Sequence, residues 1–111
     1  MHDCIFCKII KNEIQSNIIY NGKLSIAFED INPQAPHHIV IIPKRHMVAI
    51  SEADKNELEE IFSAVDIIAK QLNINDSGFR LVVNQGKDAG QFVPHLHFHL
   101  LGGRKLNWPP G

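Results

Sequence analysis

Residues 18–28, Ile18-Ile19-Tyr20-Asn21-Gly22-Lys23-Leu24-Ser25-Ile26-Ala27-Phe28, decide the architecture of this chain. Two apolar runs, 18–20 and 24–28, flank Asn21-Gly22. Asn-Gly tolerates the positive φ angles of a tight turn, so the stretch predicts a β-hairpin. A connection this short cannot carry the crossover that parallel strands need. Further along, residues 30–36 contain Pro33 and Pro36 and read as a turn, and 38–42 form an apolar, β-branched run closed by Pro43, which reads as a buried strand. A turn at 75–78 leads into a strand over 79–84. The segment 85–91 then leads to a last strand over 95–101.

Only one connection holds a full helix. Over 51–72, Ser51 is the expected cap, Asp54 stands three residues later, and Leu58, Ile61, Phe62, Val65, Ile68, Ala69 and Leu72 recur at helical spacing. With a short helical turn at 4–10, five strands and one long helix predict an α+β fold built on an antiparallel sheet. The tail Trp108-Pro109-Pro110-Gly111 continues neither strand nor helix.

With 111 residues the chain has the length of one domain, expected over 1–111. Its 11 basic and 12 acidic residues leave it near neutrality, so bulk charge does not favour nucleic acid. No apolar run approaches the ~20 residues of a membrane span, and the start lacks the basic and cleavage features of a signal peptide. The expectation is a cytoplasmic protein with no membrane partner. Two cysteines, Cys4 and Cys7, do not make a secreted disulfide framework; they are candidates for metal or redox chemistry. A charged ligand must be bound locally, which turns attention to seven histidines.

In His95-Leu96-His97-Phe98-His99-Leu100-Leu101 the alternation is strict, so on a strand the three imidazoles share one face, roughly 6–7 Å apart, while Leu96, Phe98 and Leu100 face the core. Imidazole titrates near neutrality, so a neutral nucleophile and a protonated donor can coexist in one site. That pairing suits phosphoryl transfer through a covalent nucleotidyl-histidine. A metal site is the rival reading, since histidines two apart on a strand can share an ion. The preceding Asn84, Gln85, Gly86, Gly90 and Gln91 are neutral and suit phosphate, and there is neither a Walker loop nor a dinucleotide fingerprint.

The segment 95–101 carries the alternating signature of the histidine triad (HIT) family, which the chain resembles. Phe28-Glu29-Asp30-Ile31-Asn32-Pro33-Gln34-Ala35-Pro36, Ile42-Pro43-Lys44-Arg45-His46, Asn84 with Gly86, and Gly102-Gly103-Arg104 through the Trp-Pro-Pro-Gly ending look like its Hint branch. The resemblance implies a five-stranded antiparallel sheet, joined to a second copy in a homodimer. It implies hydrolysis of purine nucleoside phosphoramidates, typically adenosine monophosphate bonded to an amine, with no organic cofactor. His97 would be the nucleophile, His99 and Asn84 the phosphate contacts, and His95 a support. Phe6, Asp30 and Ile31 match positions that hold base and ribose, Gln91 belongs to the nucleotide-binding set, and Trp108 would reach the partner's active site.

Cys4 and Cys7 have the spacing of a tetrahedral zinc pair, and His46 and His95 are the candidates for the other two ligands. By resemblance such an ion would be structural; two ordinary thiols or a redox pair are the alternatives. Phe92 departs from the Hint pattern, which commonly has serine or threonine there, and phenylalanine cannot donate the hydrogen bond that would aid a leaving amine. Phe92 favours the alternative of a nucleotide-binding module with little turnover; a dinucleoside polyphosphate hydrolase is a further alternative, disfavoured by the Trp-Pro-Pro-Gly ending.

Overall fold

In the computed structural model, which describes residues 3–111, the chain runs α1 (Ile5–Ile10), β1 (Ile18–Asn21), β2 (Ser25–Glu29), β3 (His37–Pro43), a 3-10 turn (Ile50–Glu52), α2 (Lys55–Gln71), β4 (Phe79–Val83) and β5 (Phe98–Gly102). The strands form one sheet in the order β1-β2-β3-β5-β4, and every neighbouring pair is antiparallel. This is the five-stranded α+β architecture expected from the hairpin and the single long helix.

Alternation along the strands divides the apolar residues between two faces. Ala27, Ile39, Ile41, Phe98 and Leu100 bury against Ile61, Ala64, Val65, Ile68 and Ala69 of α2. Ile26, Phe28, Val40 and Ile42 point the other way and pack on Phe6 and Ile9 of α1. The long helix thus backs the sheet, and the short one leaves part of the opposite face open.

Several boundaries differ from the sequence expectation, the main ones for tertiary reasons. Asn21 belongs to β1, paired with Ile26, and Gly22 donates its N–H to Ser25 O at 2.9 Å, so the chain reverses over Lys23-Leu24 rather than Asn21-Gly22. Glu60 of α2 holds that turn, accepting the Leu24 N–H at 2.9 Å and the Ser25 hydroxyl. A Cβ at position 22 would sit 2.6 Å from Glu60 Oε2 and 2.7 Å from Tyr20 Oη, so a side chain there would displace the carboxylate that holds the turn.

Helix α2 starts at Lys55, and its cap is Asp54 instead of Ser51. The Asp54 carboxylate accepts the Glu57 N–H at 2.9 Å and Glu57 accepts the Asp54 N–H at 3.0 Å, a reciprocal box. Ser51 falls in the preceding 3-10 turn, separated by the extended Ala53. Glu57 is buried and holds Arg45 through two contacts of 2.8 and 3.0 Å, which lower its carboxyl pKa and pin the segment leading to His46. Phe62, assigned to the buried stripe, is 49% exposed and meets the Phe98 ring edge-on.

The last strand begins at Phe98, so His95 and His97 lie just before it. Leu96 N–H is taken by Met47 O at 2.7 Å and His95 N–H by Val93 O at 2.8 Å, which bends this segment out of the ladder. The alternation survives the bend: Leu96, Phe98 and Leu100 are all buried on the α2 side. Strand β4 stops at Val83, leaving Asn84 in the loop. Among the described residues no helix is long and apolar enough to cross a membrane.

Candidate active site and metal centre

A cavity of about 530 Å³ opens on the α1 side of the sheet. Phe6, Ile9, Phe28 and Val40 form its apolar end; Asp30 and Ile31 border it, and Asn84, His97 and His99 supply polar groups. Phe6 is buried, packing edge-on against Phe28 at 5.6 Å and His97 at 5.1 Å. Ile31 lies across the mouth, 95% exposed.

Of the expected nucleotide contacts, Phe6, Asp30, Ile31, Asn84 and His99 line this cavity, together with His97. Gln91 is not among its lining residues. Its amide braces the loop instead, accepting from Gly86 N–H at 2.9 Å and donating to Val48 O and Val93 O at 3.2 and 3.3 Å. Trp108 also stands elsewhere, with the Arg80 guanidinium 5.6 Å from its ring, because the tail runs to β4 rather than back to the cavity of its own chain. His95 is not among the lining residues: its ring is on the cysteine side, and its carbonyl accepts from His97 Nδ1–H.

The hydrogen bonds around the imidazoles fix where their protons lie. His97 Nδ1 is 2.7 Å from His95 O. A carbonyl can only accept, so Nδ1 carries the proton and the lone pair of a neutral His97 is at Nε2. Gln34 N–H donates to His38 Nδ1 at 3.0 Å, which leaves the His38 proton on Nε2. That nitrogen is 2.8 Å from His99 Nδ1 and 3.4 Å from Asp30 Oδ2. His99 therefore accepts at Nδ1 and presents an N–H at Nε2.

Burial is the main force on His99 and His38. It pushes His99 down to about 4, helped by the neighbouring charges of His97 and His38 and opposed by Asp30. It lowers His38 as well, again against Asp30. Desolvation keeps His99 neutral near pH 7, and its proton is held in place by the chain Gln34–His38–His99. His38 was missed as a site residue. Its strand was legible, but its approach to His99 depends on β3 pairing with β5, where His38 faces Leu101 and Val40 faces His99.

The second cluster joins Cys4, Cys7, His46 and His95, whose ligand atoms all lie within 4.8 Å of one another. Cys4 Sγ is 3.4 Å from His95 Nδ1, and Cys7 Sγ is 3.3 Å from His46 Nδ1 and 3.7 Å from His95 Nδ1. Sulfur and nitrogen ligands of one tetrahedral zinc are separated by about 3.5 Å, so the donor set fits that ion. His95 Nε2 donates to Pro43 O at 2.9 Å, which turns the Nδ1 lone pair toward the sulfurs. Asp30, His38 and His99 also cluster, but 2.8 Å between two imidazole nitrogens is a hydrogen-bond distance and is too short for two ligands of one zinc.

Comparison with known proteins adds four findings. The HIT domain family model matches residues 11–106. A 14 kDa zinc-binding protein of Zea mays is 46% identical over 112 residues, covering 96% of this chain and 87% of that protein. The solved structure of a HIT family hydrolase from Legionella pneumophila superposes with a TM-score of 0.92 at 41% identity, covering 98% of this chain and 100% of the other. A histidine triad nucleotide-binding protein from Candida albicans gives a TM-score of 0.87 at 34% identity, with 98% and 85% covered.

Proposed function

Because this chain belongs to the HIT domain family, we propose that its single domain over residues 1–111 is a nucleotide-binding hydrolase that cleaves the P–N bond of purine nucleoside phosphoramidates. The observation that carries this reading is the pair of fixed tautomers: an Nε2 lone pair on His97 beside an Nε2–H on His99.

In this reading His97 Nε2 attacks phosphorus, the P–N bond breaks, and the leaving nitrogen keeps the bonding electron pair and takes a proton from solvent water. The product is a nucleotidyl-histidine, which water hydrolyses to the nucleoside monophosphate and free His97. Positive charge that develops on the attacking imidazole is stabilised by the His95 carbonyl, which accepts from Nδ1–H. His99 Nε2–H and the Asn84 amide donate to the phosphoryl oxygens, where anionic charge is concentrated. The purine lies against Phe6 and Ile31, and Asp30 accepts from the ribose hydroxyls. His95 acts as a support through its backbone carbonyl.

Zinc held by Cys4, Cys7, His46 and His95 has a structural role in this account. The ligands tie α1, which is only one to two turns long, to the segment that carries the nucleophile. Two free thiols fit a reducing, cytoplasmic setting, in which they remain available to a metal. A homodimer is part of the same proposal. Strand β4 lies at one edge of the sheet, exposes Phe79 and Val83, and leaves backbone groups for a partner. Trp108, beside Arg80 of that strand, is then placed to cross to the second copy.

The test compares turnover of an adenosine phosphoramidate with that of a dinucleoside polyphosphate. Preferential P–N cleavage is expected. Preferential polyphosphate cleavage would reassign the enzyme, and nucleotide binding with neither reaction would make the site a recognition module.

A further inference from the structure

Cys4 caps α1 and Cys7 is the third residue of that helix, so both thiols rise from one turn of backbone. The Cys7 N–H donates to Cys4 Sγ at 3.4 Å, and the two sulfurs lie within 4.8 Å of each other. Residues three apart in a regular helix have Cβ atoms about 5–6 Å apart, whereas a disulfide needs about 3.5–4.5 Å, so bonding these sulfurs tightens the turn. Phe6 lies inside the same turn. Its buried ring packs edge-on against Phe28 at 5.6 Å, His97 at 5.1 Å and His95 at 5.8 Å. Cys4, although buried, also borders a further cavity of about 780 Å³, which His46 lines as well. That opening gives a small oxidant a route to the sulfur.

We propose that Cys4 and Cys7 form a reversible oxidation site, at which a hydroperoxide converts the zinc-binding thiolates to a disulfide and so loosens the purine pocket. The loss of metal and of purine affinity rests on the readings given above; the oxidation itself stands on the placement of the thiols. The Cys4 thiolate attacks one peroxide oxygen, the O–O bond breaks, hydroxide leaves, and a sulfenic acid remains on Cys4. The Cys7 thiolate then attacks that sulfur; the S–S bond forms, the S–O bond breaks, and a second hydroxide leaves. Two sulfurs have given up two electrons, and the peroxide, with two protons from solvent, has become two waters. Thiolate is the form that binds metal, so the ligand set keeps only His46 and His95 and loses its hold on zinc. The tightened turn carries Phe6 with it, away from the contacts that shape the apolar end of the cavity.

The experiment treats the zinc-loaded chain with hydrogen peroxide. Disulfide formation is read by peptide mass, released zinc by a colorimetric chelator, affinity for adenosine monophosphate by calorimetry, and folding by circular dichroism. The oxidised chain is expected to be about 2 Da lighter, with the bond mapped between Cys4 and Cys7, and to release about one zinc. Its Kd for adenosine monophosphate is expected to rise about tenfold. Dithiothreitol with added zinc should reverse all three changes. In Cys4→Ser, which cannot form the bond, peroxide is expected to leave the Kd where it was.

Thiols that stay free, sulfinic acids without an S–S bond, or disulfides only between chains would overturn the oxidation site. A Kd unchanged by the disulfide, or lowered affinity to the same extent in peroxide-treated Cys4→Ser, would overturn its coupling to the cavity. Unfolding of the oxidised chain would overturn the switch, since general damage would then account for the loss. Reduced protein that holds no zinc or binds no adenosine monophosphate would reject those earlier readings, and the peptide mass alone then decides the oxidation site.

Discussion

Replacing His38 by leucine tests the proton chain behind the active site. His38 is buried, and its Nε2–H is the donor within 2.8 Å of His99 Nδ1. Leucine is of comparable size and leaves the packing largely intact, but His99 Nδ1 loses its donor and Gln34 N–H its acceptor. An unsatisfied buried group costs about 1–3 kcal/mol, so His99 has a reason to move its proton to Nδ1, where the clustered Asp30 carboxylate can accept it and it no longer faces the cavity. The phosphoryl oxygen then meets a lone pair instead of an N–H. Losing one hydrogen bond to a charged group, worth roughly 1.5–3 kcal/mol, lowers kcat/KM by about ten- to a hundredfold. The assay is phosphoramidate turnover with folding followed by melts, and His38→Gln, which can restore a side-chain N–H, is expected to recover part of the loss. Native turnover in a folded His38→Leu protein would refute the assignment of the His99 tautomer.

Stability should depend on pH through the same residue. The unfolded chain protonates His99 near its ordinary 6.5, whereas the folded chain resists to about 4. The folded state is thus favoured fully above pH 6.5 and loses on the order of 3 kcal/mol as pH falls to about 4; flat denaturant midpoints across that window would contradict this. For the metal centre, purified protein is expected to hold about one zinc per chain, and Cys4→Ser with Cys7→Ser to lose both the ion and thermal stability. Full zinc content in the double variant would reject the ligand set. Sedimentation should give a species of twice 12.5 kDa, and Val83→Lys at the β4 edge should shift it toward monomer; a native monomer at micromolar concentration would contradict the dimer.

Much of this organisation was legible in local pattern. Strict alternation over 95–101 put the three imidazoles on the side opposite Leu96, Phe98 and Leu100, and that division holds even though the regular strand begins only at Phe98. Cys-x-x-Cys with His46 and His95 was readable as one ligand set, and those atoms converge. What local pattern did not carry were interactions between distant segments. The hairpin turn shifted because Glu60, far along the chain, binds Leu24 and Ser25. The helix start shifted because Asp54 and Glu57 cap each other more completely than Ser51 can. His38 escaped notice because its role needs the β3–β5 register, and the neutrality of His99 escaped because burial is a property of the folded chain.

The account turns on His97 as a covalent nucleophile through Nε2. Rapid quenching of the protein with an adenosine phosphoramidate, followed by peptide mass analysis, tests this directly. The adenylyl group is expected on the peptide containing His97, formed at least as fast as turnover, lost on further incubation, and absent from His97→Ala, which should retain nucleotide affinity within about an order of magnitude. Turnover that persists in the His97→Ala protein, or an adenylyl group found on another residue, would contradict the mechanism.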